Sequence, residues 1–229
     1  TPEPPDRLTV LEKELAAGAW SQEQEAWLHW ELGQIREKEG DLAGAVKAYL
    51  ACYNLVPGLR PPLEALIRIF ERRRSFKNLK RLLAAHVKAA SNDPERASAM
   101  IELADFMEHR DGDEDAALDW VERALEADPA SKSAAVMFER IARQRGDHAR
   151  TERALLTRIE VTSDPVLRGL FLHDLADVRA RNGDVDGAIH ALDDAATLPA
   201  VRWRSFAALE RLARKESRHA DLARALEGL

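Results

Sequence analysis

Five prolines stand at near-constant intervals along this chain: Pro57, Pro94, Pro129, Pro165 and Pro199, separated by steps of 37, 35, 36 and 34 residues. Proline has no backbone N–H to donate and its ring clashes with the preceding helical turn, so each one breaks a helix. Between the breaks lies enough chain for two helices and a turn, and too little for a core. A unit of that size is stable only when it stacks on its neighbours, so the period itself implies an array of helical repeats.

Composition agrees. Leu, Ala, Arg, Glu and Asp dominate, whereas there are only two Tyr and six Phe. That bias favours helix and leaves little material for a sheet. Apolar residues make up 45% and charged residues 32%, as expected when every helix keeps one wet face. No apolar run approaches the ~20 residues that span a bilayer, and the first thirty residues lack the charged-then-apolar layout of a signal peptide. The chain opens on Thr1 rather than Met, so a trimmed or processed form is expected. Cytoplasm is the default compartment, and a chain lacking its native start leaves the envelope open. Arg- and Ala-rich, Lys-poor usage points to a bacterial gene of high GC content. Cys52, the single cysteine, excludes an internal disulfide or a cysteine-pair metal site and reads as core.

Residues 1–5, Thr-Pro-Glu-Pro-Pro, read as a linker. A short amphipathic helix with Leu8, Leu11 and Leu15 on one face follows and stops at Gly18. Residues 1–20 are thus expected to be linker and capping helix, and residues 21–229 the repeat array. Ser21 and Gln24 have capping-box spacing. Then Leu32-Gly33, Gly40-Asp41, Ala45, Tyr49 and Pro57 form one unit. Leu175-Ala176, Gly183-Asp184, Ala188, Leu192 and Pro199 form another. Leu103-Ala104, Ala117, Ala124 and Pro129 form a third, with one extra residue near Gly112. The small residues let two antiparallel helices approach closely. Gly40, Gly146 and Gly183 suit a left-handed helix end, and the following Asp suits an N-cap. Residues 60–91 and 131–162 make weaker units, the former with Arg74 where Gly is usual, and a sixth begins near Arg202. Strong and weak units alternate, so the true period is a pair: Asn92-Asp93-Pro94 returns as Ser163-Asp164-Pro165 after 71 residues.

These residues resemble the tetratricopeptide repeat family over residues 21–229. The resemblance implies an all-α solenoid of five to six helix-turn-helix repeats, wound as a right-handed superhelix with a concave inner groove. It also implies a non-enzymatic protein-protein interaction scaffold that holds a peptide segment or small domain in that groove. Family modules that grip an acidic C-terminal tail use Lys, Arg and Asn at set inner positions. Arg68 and Arg140 suit such a role, but Asn54, Asn78, Asn92 and Asn182 fall elsewhere.

Charge alternates with the units. Residues 21–59, 60–91, 92–130, 131–162, 163–199 and 200–229 carry net charges of −3, +7, −10, +3, −4 and +3, within a total of −6. Aligned on the turns, one first-helix site reads Arg68, Asp105, Arg140, Asp177, Arg211, which predicts a ladder of opposite charges between neighbouring repeats. It would set register or offer anchors to a partner. The candidate partner-binding residues are Trp27, Trp30, Gln34, Arg68, Arg72, Asp105, Glu108, Arg140, Arg143, Asp177, Arg211 and Arg214. Trp27 and Trp30 share a helical face and are either groove anchors or covered by the N-terminal helix. The basic run Arg72-Arg73-Arg74 through Arg81 reads as a solvated helix end. An acidic chain without interleaved aromatics argues against nucleic acid. Seven scattered histidines, with no His-Glu-x-x-His, phosphate loop or Gly-x-Ser-x-Gly, point to no catalytic site, metal or cofactor. His109 beside Glu108 and His173 beside Asp174 are the nearest approach to a polar cluster, and a solvated or satisfied imidazole is the expectation. The alternative function is a self-assembling or regulatory repeat arm of a larger assembly.

Overall fold

The computed structural model describes residues 6–229, so the linker expected over residues 1–5 lies outside the described residues. Among those described, thirteen α-helices follow one another with no strand. Helix α1 (Arg7–Ala17) is followed in chain order by α2 (Gln22–Lys38), α3 (Leu42–Leu55), α4 (Arg60–Arg72), α5 (Phe76–Ala89), α6 (Asp93–Phe106), α7 (Glu114–Ala127), α8 (Lys132–Gln144), α9 (His148–Val161), α10 (Pro165–Arg181), α11 (Val185–Ala196), α12 (Arg202–Lys215) and α13 (His219–Gly228), two to a repeat along the sequence. The expected all-α helical repeat is the observed fold. Two compact units emerge, one ending at Asp111 and one running from Gly112 to Leu229.

The turns follow local chemistry. Gly40, Gly146 and Gly183 have φ of 85°, 66° and 84°, and Gly112 has 71°. The aspartates after them, Asp41, Asp113, Asp147 and Asp184, accept a hydrogen bond from the backbone N–H three residues on, capping α3, α7, α9 and α11. In the two remaining turns, Arg74 (φ 51°) and Ser217 (φ 56°) adopt the same left-handed conformation without being glycine. Every repeat therefore turns through one such residue, whatever its side chain.

The prolines punctuate in two different ways. Pro57, Pro129 and Pro199 sit between repeats, after α3, α7 and α11. Pro94 and Pro165 instead lie in the first turn of α6 and α10, behind the capping side chains of Asn92 and Asp164. There the missing N–H is one that a helix start leaves unpaired in any case. The expectation that each proline ends the preceding helix holds for three of the five, and the other two begin the next one.

In the unit ending at Asp111, α1 lays Leu8, Leu11 and Leu15 against Leu28, Leu32 and Ile35 of α2 and Ala48 of α3. Ion pairs Arg7–Glu31 and Arg36–Glu12 flank that contact, and Gly18 ends α1 with φ 69°. Ser21 and Gln24 form the expected capping box. The extra residue near Gly112 appears as a π-helical turn over Met107–Asp111, continuing α6. A π turn absorbs one added residue without breaking the helix. In the second unit, Leu155, Leu172, Leu175, Ile189, Leu192, Val201 and Leu209 form a continuous core. The small residues at the helix contacts (Ala45, Ala104, Ala117, Ala176, Ala188) are all buried, as is Cys52. Burial pushes the Cys52 thiol up to about 11, which keeps it protonated and inert.

Candidate functional site

Within the second unit a groove of about 390 Å³ runs between the first helices of two successive repeats, α10 and α12. Its floor is apolar, with Ala176 and Ala180 of α10, Leu192 of α11, and Ala208 and Leu212 of α12. Small residues at 176, 180 and 208 leave the space that larger ones would fill. The rim is charged. His173, Asp174, Asp177 and Arg181 line it from α10, and Arg204, Arg211 and Lys215 from α12.

Several rim charges are already engaged. Arg143 of α8 reaches Asp174 at 2.8 Å and Glu139 at 2.9 Å, and Lys215 lies 3.2 Å from Glu216. Among the described residues Asp177, Arg181, Arg204 and Arg211 have no ion-pair partner. Three guanidinium groups and one carboxylate therefore face the groove unneutralised.

His173 sits at one end, half-buried, with Nε2 at 2.9 Å from Ser205 Oγ. Ser205 is fully buried, and its hydroxyl donates to the Val201 carbonyl at 2.9 Å. The hydroxyl hydrogen being spent, the imidazole must be the donor to Ser205. A serine so placed cannot pass its proton to His173, so the pair ties α10 to α12 and is no nucleophile-base couple. Burial holds the His173 pKa below its ordinary value, with help from Arg204 and against Asp177 and Asp174.

The other sequence candidates take other places. Arg68 forms a two-pronged pair with Glu37 at 2.6 and 2.9 Å, and Glu37 also accepts from the Tyr49 hydroxyl at 3.0 Å. Arg214 binds Glu210 of its own helix, and Arg140 donates to Gln144. Asp105 and Glu108 both lie near His109, at 3.2 and 3.7 Å. Asp177 and Arg211, adjacent rungs of the expected ladder, share the groove without pairing. Trp27 is 54% exposed, whereas Trp30 is half-buried with its ring 5.1 Å from that of Tyr49. Helix α1 covers the leucine face of α2 and leaves Trp27 open. Gln34 and Arg72 are exposed.

Arg181, Arg204, Lys215 and His173 are not among the partner contacts expected from the sequence. Aligning the units on their left-handed turn residue brings out three of them. Lys215 and Arg181 lie two residues before that turn, as do Lys38, Arg72 and Arg110, and Arg204 holds the place that Trp27 holds in the first repeat.

Stacked helix-turn-helix repeats with left-handed turns, capping aspartates and a groove between successive first helices define a helical-repeat protein similar to the tetratricopeptide-repeat proteins. Among solved structures, the chain is similar to YrrB, described as a TPR protein with an unusual peptide-binding site (14% identity, 88% of this chain and 98% of that one, TM-score 0.46). It is also similar to the MamA protein (16% identity, 79% and 95%, TM-score 0.47) and to PilF of Pseudomonas aeruginosa (14% identity, 89% and 90%, TM-score 0.43). No protein-family model and no curated protein matches the chain. No helix among the described residues is long and apolar enough to cross a membrane.

Proposed function

We propose that this chain is a non-catalytic interaction module that holds a segment of a partner protein against the first helices of its repeats, with the α10–α12 groove as the principal seat. The supporting observation is the combination of an apolar floor with rim charges that the fold does not use, at Asp177, Arg181, Arg204 and Arg211. Apolar contact supplies affinity in such a seat, and unneutralised charges supply orientation and choice of partner. Trp27, Gln34 and Arg72 are exposed on the first unit and serve as further contact points. Arg143 and Arg214 act through the carboxylates they hold on α10 and α12, the helices that carry the seat, whereas Arg68 ties α4 to α2 through Glu37 in the first unit.

Ala208→Trp fills the groove without altering any charge. Proteins captured from a cell lysate by the wild type should be lost by this variant while its helicity stays unchanged by circular dichroism. Retention of every captured protein by a folded Ala208→Trp chain overturns the reading.

A second copy of the chain is the other candidate partner. Trp203, at 70% exposure, and Val166 and Leu167 near it in repeat register leave apolar surface open on the first turns of α12 and α10. A mass that rises with concentration in light scattering and falls back in Trp203→Ser would favour that partner. A constant monomer mass removes it.

A further inference from the structure

Arginine is the commonest charged side chain of the second unit, and nearly all of it is held. Carboxylates take Arg143, Arg145, Arg150, Arg153, Arg158 and Arg179, and likewise Arg214, Arg218 and Arg224. Backbone carbonyls take Arg168 and Arg202, the Trp120 ring takes Arg123, and Arg140 donates to Gln144. The exceptions are Arg181, Arg204 and Arg211, and all three line one groove. Residues 112–229 carry 18 Lys and Arg against 22 Asp and Glu, so the unit is acidic as a whole. A local excess of unpaired guanidinium in an acidic unit is not a by-product of general basicity.

We infer that the α10–α12 groove selects an acidic peptide segment, whose carboxylates seat on Arg181, Arg204 and Arg211. The inference deepens the interaction reading above and rests on it. Guanidinium is weakly hydrated and presents a planar fork that matches a carboxylate, so little is lost when such a pair leaves water. Asp177 faces the same space and repels a run of uninterrupted negative charge, so it favours a segment that places a main-chain N–H or a basic residue opposite it. A nucleic-acid strand fits poorly: its phosphates meet Asp174 and Asp177, and no Trp, Tyr or Phe lines the groove to stack a base.

The test is selection of a phage-displayed random dodecapeptide library on the full chain, followed by fluorescence anisotropy with a synthetic peptide from the enriched pool. Enrichment in Asp and Glu is expected. The Arg204→Glu/Arg211→Glu double variant should weaken binding about ten-fold or more, and added salt should weaken the wild type. An Arg73→Glu/Arg81→Glu control, altering exposed arginines of the first unit that the reading above does not place in contact with a partner, should bind as the wild type does. Failure to enrich any peptide sinks the interaction reading and this inference with it. Neutral or basic peptides that Ala208→Trp blocks, and the groove double variant still binds, overturn the acidic preference alone. Acidic peptides lost only in the first-unit control overturn the assignment to this groove.

Discussion

Arg74 and Ser217 stand where four other repeats place glycine, and both have positive φ. A side chain in that conformation costs about 1–2 kcal/mol through its Cβ, and glycine recovers this less its own loss of chain entropy. Arg74 is exposed and unpaired, so no contact offsets the strain. Arg74→Gly is therefore expected to stabilise the chain by about 0.5–1 kcal/mol in urea unfolding, and Gly183→Ala to cost about 1–2 kcal/mol. Equal midpoints for wild type and Arg74→Gly would show that the turn carries no strain. At Gly33 a different constraint rules, because a Cβ there would overlap the Tyr49 ring. That ring cannot yield easily, being buried and tied through its hydroxyl to Glu37. Gly33→Ala is expected to lose about 1–3 kcal/mol despite the better helix propensity of alanine, with tryptophan fluorescence reporting displacement of Trp30. Gly33, Arg74 and Gly183 were legible in the sequence as a close helix contact and as turn positions fixed by the repeat, whereas the left-handed turn at Ser217 was not.

Between elements, legibility falls. Sequence alignment pairs equivalent positions across repeats, yet six hydrogen-bonded pairs are separated by 31 residues instead: Glu37 with Arg68, Lys80 with Asp111, Glu114 with Arg145, Asp119 with Arg150, Glu122 with Arg153, and Arg143 with Asp174. The spacing is one repeat less about one helical turn. Long side chains lean along the helix before they meet, so ion pairs skip the aligned residue and take the one a turn away. A one-dimensional alignment carries no such offset, which is why Arg68 and Arg143 read as groove anchors. The extra residue near Gly112 was visible as a count, whereas its accommodation as a π turn depends on packing. Among these pairs Glu37 is the most invested, since Arg68 hydrogen-bonds it and holds its carboxyl below the usual range, with Tyr49 adding a further hydrogen bond and burial opposing. Arg68 is half exposed, so solvent discounts the pair, and Glu37→Gln is expected to cost about 1 kcal/mol. A double-mutant cycle with Arg68→Met that returned no coupling would make the contact incidental.

At the scale of the whole molecule, three imidazoles couple the fold to pH: His29 and His86 in the first unit and His173 in the second. Burial lowers all three pKa values, opposed by Glu25 at His29, by Glu102 and Glu95 at His86, and by Asp177 and Asp174 at His173. Arg60 reinforces the shift at His86, and Arg204 and Arg211 at His173. Tyr53 and Ser205 hydrogen-bond those two rings, while His29 Nδ1 is buried without a partner. In the unfolded chain each imidazole takes up its proton near 6.5 and in the folded chain only at lower pH, so the unfolded state binds more protons across that interval. Stability is then complete above the unfolded value and declines as pH falls from about 6.5 through the folded values. Glu31, Glu37 and Glu95, whose folded values are depressed mainly by hydrogen bonds from Arg7, Arg68 and the Ser91 backbone, add a second loss that begins only near the ordinary carboxylate range. The urea midpoint should therefore decline between about pH 7.5 and about pH 5, above the range in which Glu31, Glu37 and Glu95 take up protons. In a His86→Gln/His173→Gln chain that decline should flatten while the loss at lower pH remains. A wild-type midpoint that holds constant down to about pH 5 would mean that these imidazoles are solvated enough to titrate alike in both states.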